Sequence, residues 1–420
     1  MQHVKHLAMI SLDAVDSEDA AFLKTLPNFG ALARRGTLVE QVAPTFVTNT
    51  YPIHSSIITG VYPQTHGLTE NLKTQPGKEH PDWNTQAALL RAPTLYQKAK
   101  QAGLTVCSIL YPVTEGSPDI RYNIPEIPGH MSFFRRALRM LSGNASYLIG
   151  SLARNIRYKK RRGIAGLDDL TTACAADTLK RKRPNLLLLH LLDADNTKHS
   201  FGPKSPEAKQ ALVRLDERLG KLMRAMETAF RPEEWAMLVF SDHGCLSVHT
   251  AADPNDMLKR RGLIRDPARA PGDFDAFFHN AGGSAFCKLY RPEKRQALEE
   301  AVRALLREPC VGRLLTEEEM RVGGFAETFF CGIEAAEGYC FDKFHLGQHG
   351  YALKSEGYRP FYLAAGPGVP EGDTLSGGCV VDICPLAAEL LGLPLWEMDG
   401  VSRIQSPPAG CKESAIPGIA

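Results

Sequence analysis

Four short runs constrain the fold more than any other feature of the chain. They are L-A-M-I-S-L-D (7–13), L-T-V-C-S-I-L-Y-P (104–112), N-L-L-L-L-H-L-L-D (185–193) and W-A-M-L-V-F-S-D-H-G (235–244). Each is nearly continuous in apolar side chains and lacks the alternation of a strand with one wet face. Each therefore reads as a strand buried on both sides. Helical patterns at 92–103 and 208–226 separate them. This succession predicts an α/β protein with a doubly wound, mostly parallel sheet flanked by helices. Ligands bind such sheets outside the carboxyl ends of the strands. Here those ends lead into Asp13, into Asp195 with His199, and into Asp242 with His243.

A chain of 420 residues is long enough for one large core with insertions. We expect a single catalytic domain over 1–420, interrupted twice. Residues 127–167 contain nine Lys or Arg and no Asp or Glu, with apolar residues at near-helical spacing. This basic helical insertion is expected to pack its apolar stripe on the body and leave its arginines solvated. Contact with anionic lipid is the alternative. Residues 250–340 hold a loop (253–263), a glycine-bearing strand pattern and a helix pattern, which together suggest a small inserted α+β cap. The Pro/Gly-rich tail after Gly400 is expected to be loosely ordered.

The formal net charge of +2 names no partner, and no stable nucleic-acid complex is expected. The first apolar run is cut by Asp13 and no later run reaches membrane-spanning length, so a soluble, unexported chain is expected. Ten cysteines are scattered without a C-x-x-C pair. That usage fits reduced thiols in the cytoplasm better than a disulfide framework.

Three carboxylates (Asp13, Asp195, Asp242) and three imidazoles (His199, His243, and His349 in L-G-Q-H-G-Y) are thus expected at one sheet edge. Mixed nitrogen and oxygen donors suit zinc better than magnesium or calcium. Six donors and a bridging nucleophile would fill two tetrahedral sites, the usual device for displacement at phosphorus. T-N-T-Y-P-I-H (48–54) supplies hydroxyls. Thr50, ahead of Tyr51-Pro52, reads as a helix N-cap, where an anion is also favoured.

The ordered set M-I-S-L-D, T-N-T-Y-P-I-H-S-S-I-I-T-G, G-L-T-E-N, D-N-T-K-H-S-F-G-P, V-F-S-D-H-G and G-Q-H-G-Y runs through most of the chain. It resembles the nucleotide pyrophosphatase/phosphodiesterase (type I phosphodiesterase) family of the alkaline phosphatase superfamily. The resemblance implies an alkaline-phosphatase-like fold and two Zn2+ ions, with Mn2+ or another divalent metal as the alternative. It implies a small phosphodiester or nucleotide substrate and Thr50 as nucleophile. It assigns Asp195, His199 and His349 to one metal, Asp13, Asp242 and His243 to the other, and Asn71 to the oxyanion side. Tyr51 and Tyr122 match family aromatics that stack on substrate. Asn49 stands where relatives often have lysine, which unsettles the substrate and leaves the chemistry intact. A phosphomonoesterase or a phosphonoacetate-hydrolase-like phosphonatase would use the same metal site. An inactive metal-binding scaffold would have lost a ligand or the nucleophile.

Overall fold

The computed structural model describes residues 3–129, 132–141, 143–266, 273–352 and 358–404. The tail expected to be loose lies outside these residues from 405 onward. Eight strands form the main sheet: β1 (His6–Leu12), β2 (Gly36–Glu40), β3 (Val106–Ile109), β4 (Tyr122–Ile124), β5 (Leu186–Leu191), β6 (Trp235–Phe240), β7 (Tyr362–Ala365) and β8 (Asp373–Ser376). Their spatial order is β8-β2-β7-β6-β1-β5-β3-β4. All neighbours pair in parallel except β7, which runs antiparallel between β2 and β6. At the centre, Met9 stands opposite Leu188 on β5 and Leu238 on β6.

The unbroken apolar runs follow from this position. Every residue of β1, β5 and β6 is buried. Ala8, Ile10 and Leu12 face one core with Cys174, Leu215 and Leu219 from the helices Gly163–Lys182 and Pro206–Ala229. Leu7 and Met9 face the other, with Ile53 and Ile57 of the helix Thr50–Thr59 and Leu386 of Ile383–Leu390. Each such Leu or Ile removed from water contributes roughly 1.5–3 kcal/mol. The mostly parallel sheet with helices on both faces is therefore observed.

Beyond Thr250 the chain builds a separate four-stranded antiparallel sheet, in the order Ala276–Ala281, Ser284–Leu289, Cys331–Ala335, Val311–Leu314. The helix Arg295–Leu305 buries Leu298, Ala301, Val302 and Leu305 in the core of that layer. One expectation fails here, because the segment read as a loop (253–263) contains a helix, Asn255–Arg260. Asp253 Oδ1 accepts from the Asn255 amide at 2.9 Å, and Asn255 Nδ2 donates to Phe278 O at 2.9 Å. Met257 and Leu258 are buried against the antiparallel layer. Tertiary contact overrode a polar, glycine-ended sequence.

This layer reaches the main sheet's ligand edge through glycine. Gly350 has φ +88°, and a Cβ there would lie 1.9 Å from Ala281 O. Side chains other than glycine are strained by that backbone and excluded by that contact. Gly350→Ala should therefore lower stability by about 2 kcal/mol or more. The midpoint of urea unfolding measures this, and an unchanged midpoint would refute the tight crossing.

Candidate metal centre

Asp13 follows the last residue of β1, and Asp242 and His243 follow β6 by two and three residues. The helix after β5, Asp193–Phe201, carries Asp195 and His199 one turn apart. His349 follows the short strand Gly347–Gln348, which pairs with Leu246–Ser247 just beyond β6. Parallel neighbours thus deliver their carboxyl ends to one place. The structure gathers the six residues into two groups, Asp195 with His199 and His349, and Asp13 with Asp242 and His243. Within each group the donor atoms lie within 4.8 Å of one another. The His243 and His349 rings, one from each group, stack with centroids 4.2 Å apart.

The donor set fits divalent cations. Asp13 Oδ1, Asp195 Oδ1 and Asp242 Oδ2 are buried oxygens that accept no hydrogen bond. Leaving such atoms without partners is costly unless a cation satisfies them. The imidazoles are oriented from behind: His199 Nδ1 meets Gly347 O at 2.8 Å, His243 Nδ1 meets Gly244 O at 3.1 Å, and His349 Nδ1 meets Asn49 Oδ1 at 2.8 Å. Each Nε2 is left as the ligating atom. Burial pulls His243 down to about 4 and His349 well below the ordinary value, so both rings are neutral, as ligation requires. Burial, with Asp242 and Asp195 nearby, pushes the Asp13 carboxyl well above the usual range. His199 is raised to about 9 against the opposing effect of burial, because Asp195 Oδ1 lies 3.2 Å from its Nε2.

Thr50 sits beside His243 of the second group. It is the first residue of a fully buried helix, and Oγ1 lies 3.3 Å from His243 Nε2. The expectation that Thr50 caps this helix is corrected. Asn49, with extended backbone, is the cap residue, and its side chain makes no cap hydrogen bond. The cap comes from elsewhere, since Asn71 Oδ1 accepts from the Tyr51 amide at 2.8 Å. That bond leaves the Asn71 Nδ2 donor for the cleft that Asn71 lines. Thr48 Oγ1 instead meets Tyr358 Oη at 2.6 Å and donates to Tyr351 O at 2.9 Å, tying this loop to the segment after His349.

Neither tyrosine lines the cleft at the metal groups. Tyr51 is fully buried, with its ring against Trp83, Leu68 and Val113. Its side chain points into the body because the helix turns it away from Thr50. Tyr122 meets Tyr147 at an interplanar angle of 49° and lies under Arg121 and Lys182 at the β4 edge. Trp83 lines the cleft beside Asn71 and is the aromatic that sequence reading passed over.

Two further residues carried no sequence signal. His190, the lone polar residue in the β5 run, lies 3.1 Å from Asp13 Oδ2 and 3.3 Å from Glu126 Oε2. It holds the oxygen of Asp13 that faces away from His243. Glu70 lines the cleft, accepts from Asn49 Nδ2 at 3.1 Å, and leaves buried Oε1 without a partner. Asn49 thus bridges His349 and Glu70.

Removing His349 should empty one group only. Metal analysis of His349→Ala is expected to fall from about two ions per chain to about one. An unchanged stoichiometry refutes the assignment. Burial raises Glu70 to about 8 in the fold, from an ordinary 4.5. The folded state then holds a proton that the unfolded state has released, so stability falls as pH rises from about 4.5 through about 8. In metal-stripped protein Glu70→Gln should flatten that decline, read as the thermal midpoint against pH. A parallel decline in both proteins would exclude Glu70 as its source.

The profile of the type I phosphodiesterase/nucleotide pyrophosphatase family matches residues 7–320. Human ectonucleotide pyrophosphatase/phosphodiesterase family member 1 is 27% identical over 248 residues, covering 56% of this chain and 23% of that protein. The Bos taurus bis(5'-adenosyl)-triphosphatase of the same family is 23% identical over 386 residues, covering 87% and 74%. An inactive variant of murine ectonucleotide pyrophosphatase/phosphodiesterase 5, solved in complex with AMP, superposes with a TM-score of 0.67 at 20% identity. That match covers 94% of this chain and 97% of that one, and it shows the shared fold. The chain belongs to the type I phosphodiesterase/nucleotide pyrophosphatase family, hydrolases of phosphodiester and pyrophosphate bonds.

Proposed function

We propose that the protein is a dinuclear zinc phosphodiesterase acting on nucleotide-like diesters or pyrophosphates through a phospho-threonine intermediate. The observation that carries this reading is the position of Thr50 Oγ1, 3.3 Å from His243 Nε2 at the amino end of a buried helix. Divalent ions held by the two groups would neutralise charge on phosphorus oxygens and lower the pKa of a neighbouring hydroxyl. Thr50 Oγ1 forms the new bond to phosphorus as the bond to the leaving oxygen breaks. Asn71 Nδ2 and the Thr50 amide hold a non-bridging oxygen as charge grows on it. His349 is kept in orientation by Asn49, and Asp13 by His190. Hydrolysis of the phospho-threonine ester then returns the hydroxyl.

A diester is favoured over a monoester by charge. No Lys or Arg lines the cleft at the metal groups among the described residues, whereas Asp342 does. A dianionic monoester or a phosphonoacetate would call for a strong cation there. The groove continues outward past Trp83 and Phe277 to Lys73 and Lys343. Aromatic rings there suit a base, and lysines suit further phosphates. That a relative is named a bis(5'-adenosyl)-triphosphatase supports the same direction. The nine described cysteines are free thiols, which supports a reducing, cytoplasmic compartment that cell fractionation tests.

Thr50→Ala should reduce hydrolysis of an aryl phosphodiester by at least about a thousandfold while metal content stays near two per chain. Near wild-type turnover in that variant would eliminate the threonine mechanism. Wild-type protein should cleave the aryl diester and dinucleoside polyphosphates faster than an aryl monoester or phosphonoacetate, and the reverse order would replace the substrate class.

A further inference from the structure

The basic insertion is only half buried by the body. Tyr147, Leu148 and Leu152 of the helix Ala145–Asn155 pack on the main-sheet core. Tyr147 Oη reaches Thr178 Oγ1 at 2.9 Å, which pins this face. To that extent the apolar stripe packs inward as expected. The remaining apolar residues do not. Phe134, Leu138 and Leu141 are 75%, 62% and 40% exposed, and Ile149 and Ile156 are 61% and 57% exposed. The first three recur at helical spacing along Phe133–Met140 and its cap. Six of the thirteen exposed large apolar side chains among the described residues fall between 134 and 158. Scattered singly these would need no explanation, but this clustering does.

The charges around them are unspent. Arg139, Arg154 and Arg161 are held by Glu115, Asp177 and Asp169. Arg135, Arg136, Arg157, Lys159, Lys160 and Arg162 are exposed and form no ion pair among the described residues. The segment has no carboxylate of its own. Exposed apolar side chains interleaved with unpaired cations match an anionic lipid surface, where the first enter the acyl boundary and the second meet headgroups. A second copy of the chain fits poorly, because a twofold contact would set these cations against themselves. No described helix is long and apolar enough to cross a membrane, so the contact would lie along the surface.

The position matters as well as the composition. Arg136 Nη2 donates to Gly129 O at 2.7 Å, and Gly129 lines the groove that runs from Trp83 to Lys343. The exposed helix therefore stands at the groove's rim. We propose that the 134–160 face docks on an anionic lipid bilayer and holds the groove against it. This does not depend on Thr50 or on the identity of the metals.

Sedimentation with phosphatidylcholine vesicles, with and without phosphatidylserine, tests the proposal on the full chain. Binding is expected at low salt with phosphatidylserine vesicles only, with release at high salt. Each cation near such a surface is worth about fivefold in partitioning. The variants Arg157→Glu/Lys159→Glu/Lys160→Glu and Phe134→Glu/Leu138→Glu should each lose more than about tenfold while keeping the wild-type thermal midpoint. Failure to bind phosphatidylserine vesicles at low salt overturns the proposal, as does wild-type binding by both variants. A lipid-free dimer that the same substitutions dissociate would also overturn it, by showing that a second copy covers the face.

Discussion

Three buried carboxylate oxygens that accept no hydrogen bond, on Asp13, Asp195 and Asp242, face one small volume. Burial, with Asp242 and Asp195 nearby, pushes the Asp13 carboxyl well above the usual range in the absence of a cation. The surrounding structure can be understood as what keeps the three carboxylates there. Parallel strands fix two of the three backbones within one hydrogen-bonded ladder. The third, Asp195, rides on a helix whose start is clamped: Asp168 accepts from the Asp193 amide at 2.9 Å, and buried Arg218 donates to Asp193 at 2.7 Å. The imidazoles are braced by backbone carbonyls and Asn49. Such a frame favours the cation-loaded state by strongly disfavouring the empty one.

Much of this was legible because burial on both faces leaves a strong mark on sequence. The runs ending in Asp13, Asp193 and Asp242 announced both the strands and their polar ends. β7 announced little, since four residues, Tyr362–Ala365, carry no period and its antiparallel direction is invisible locally. Thr50 was placed correctly at a helix entry but given the wrong position within it. The true cap, the Tyr51 amide donating to Asn71 Oδ1, joins residues twenty apart, beyond any local capping rule. Tyr51 and Tyr122 were read by adjacency to motifs, whereas exposure depends on which face a neighbouring element covers. Glu70 and His190 became meaningful only as contacts, to Asn49 and to Asp13.

Two segments outside the main sheet divide the work of surrounding this centre. The antiparallel layer supplies Asn280 and Asp342 to the cleft and leans on His349 through Gly350. The basic segment supplies Gly129 to the groove's outer wall and keeps an amphipathic helix beside it. Neither donates a metal ligand. Loop-borne variation around a rigid strand-end constellation is how one fold takes different substrates.

The place of β7 in the sheet bears on how the chain is made. Roughly 120 residues separate Phe240, at the end of β6, from Tyr362, and a ribosome needs about 6–24 s to add them. Throughout that interval β6 presents an unpaired edge and β2 has neither of its neighbours, because β7 and β8 do not yet exist. His349 emerges only shortly before β7. Until then the nascent protein holds an open sheet with an incomplete metal centre, and the strand that joins the two parts of the sheet follows the last metal-group residue by only 13 positions, from His349 to Tyr362.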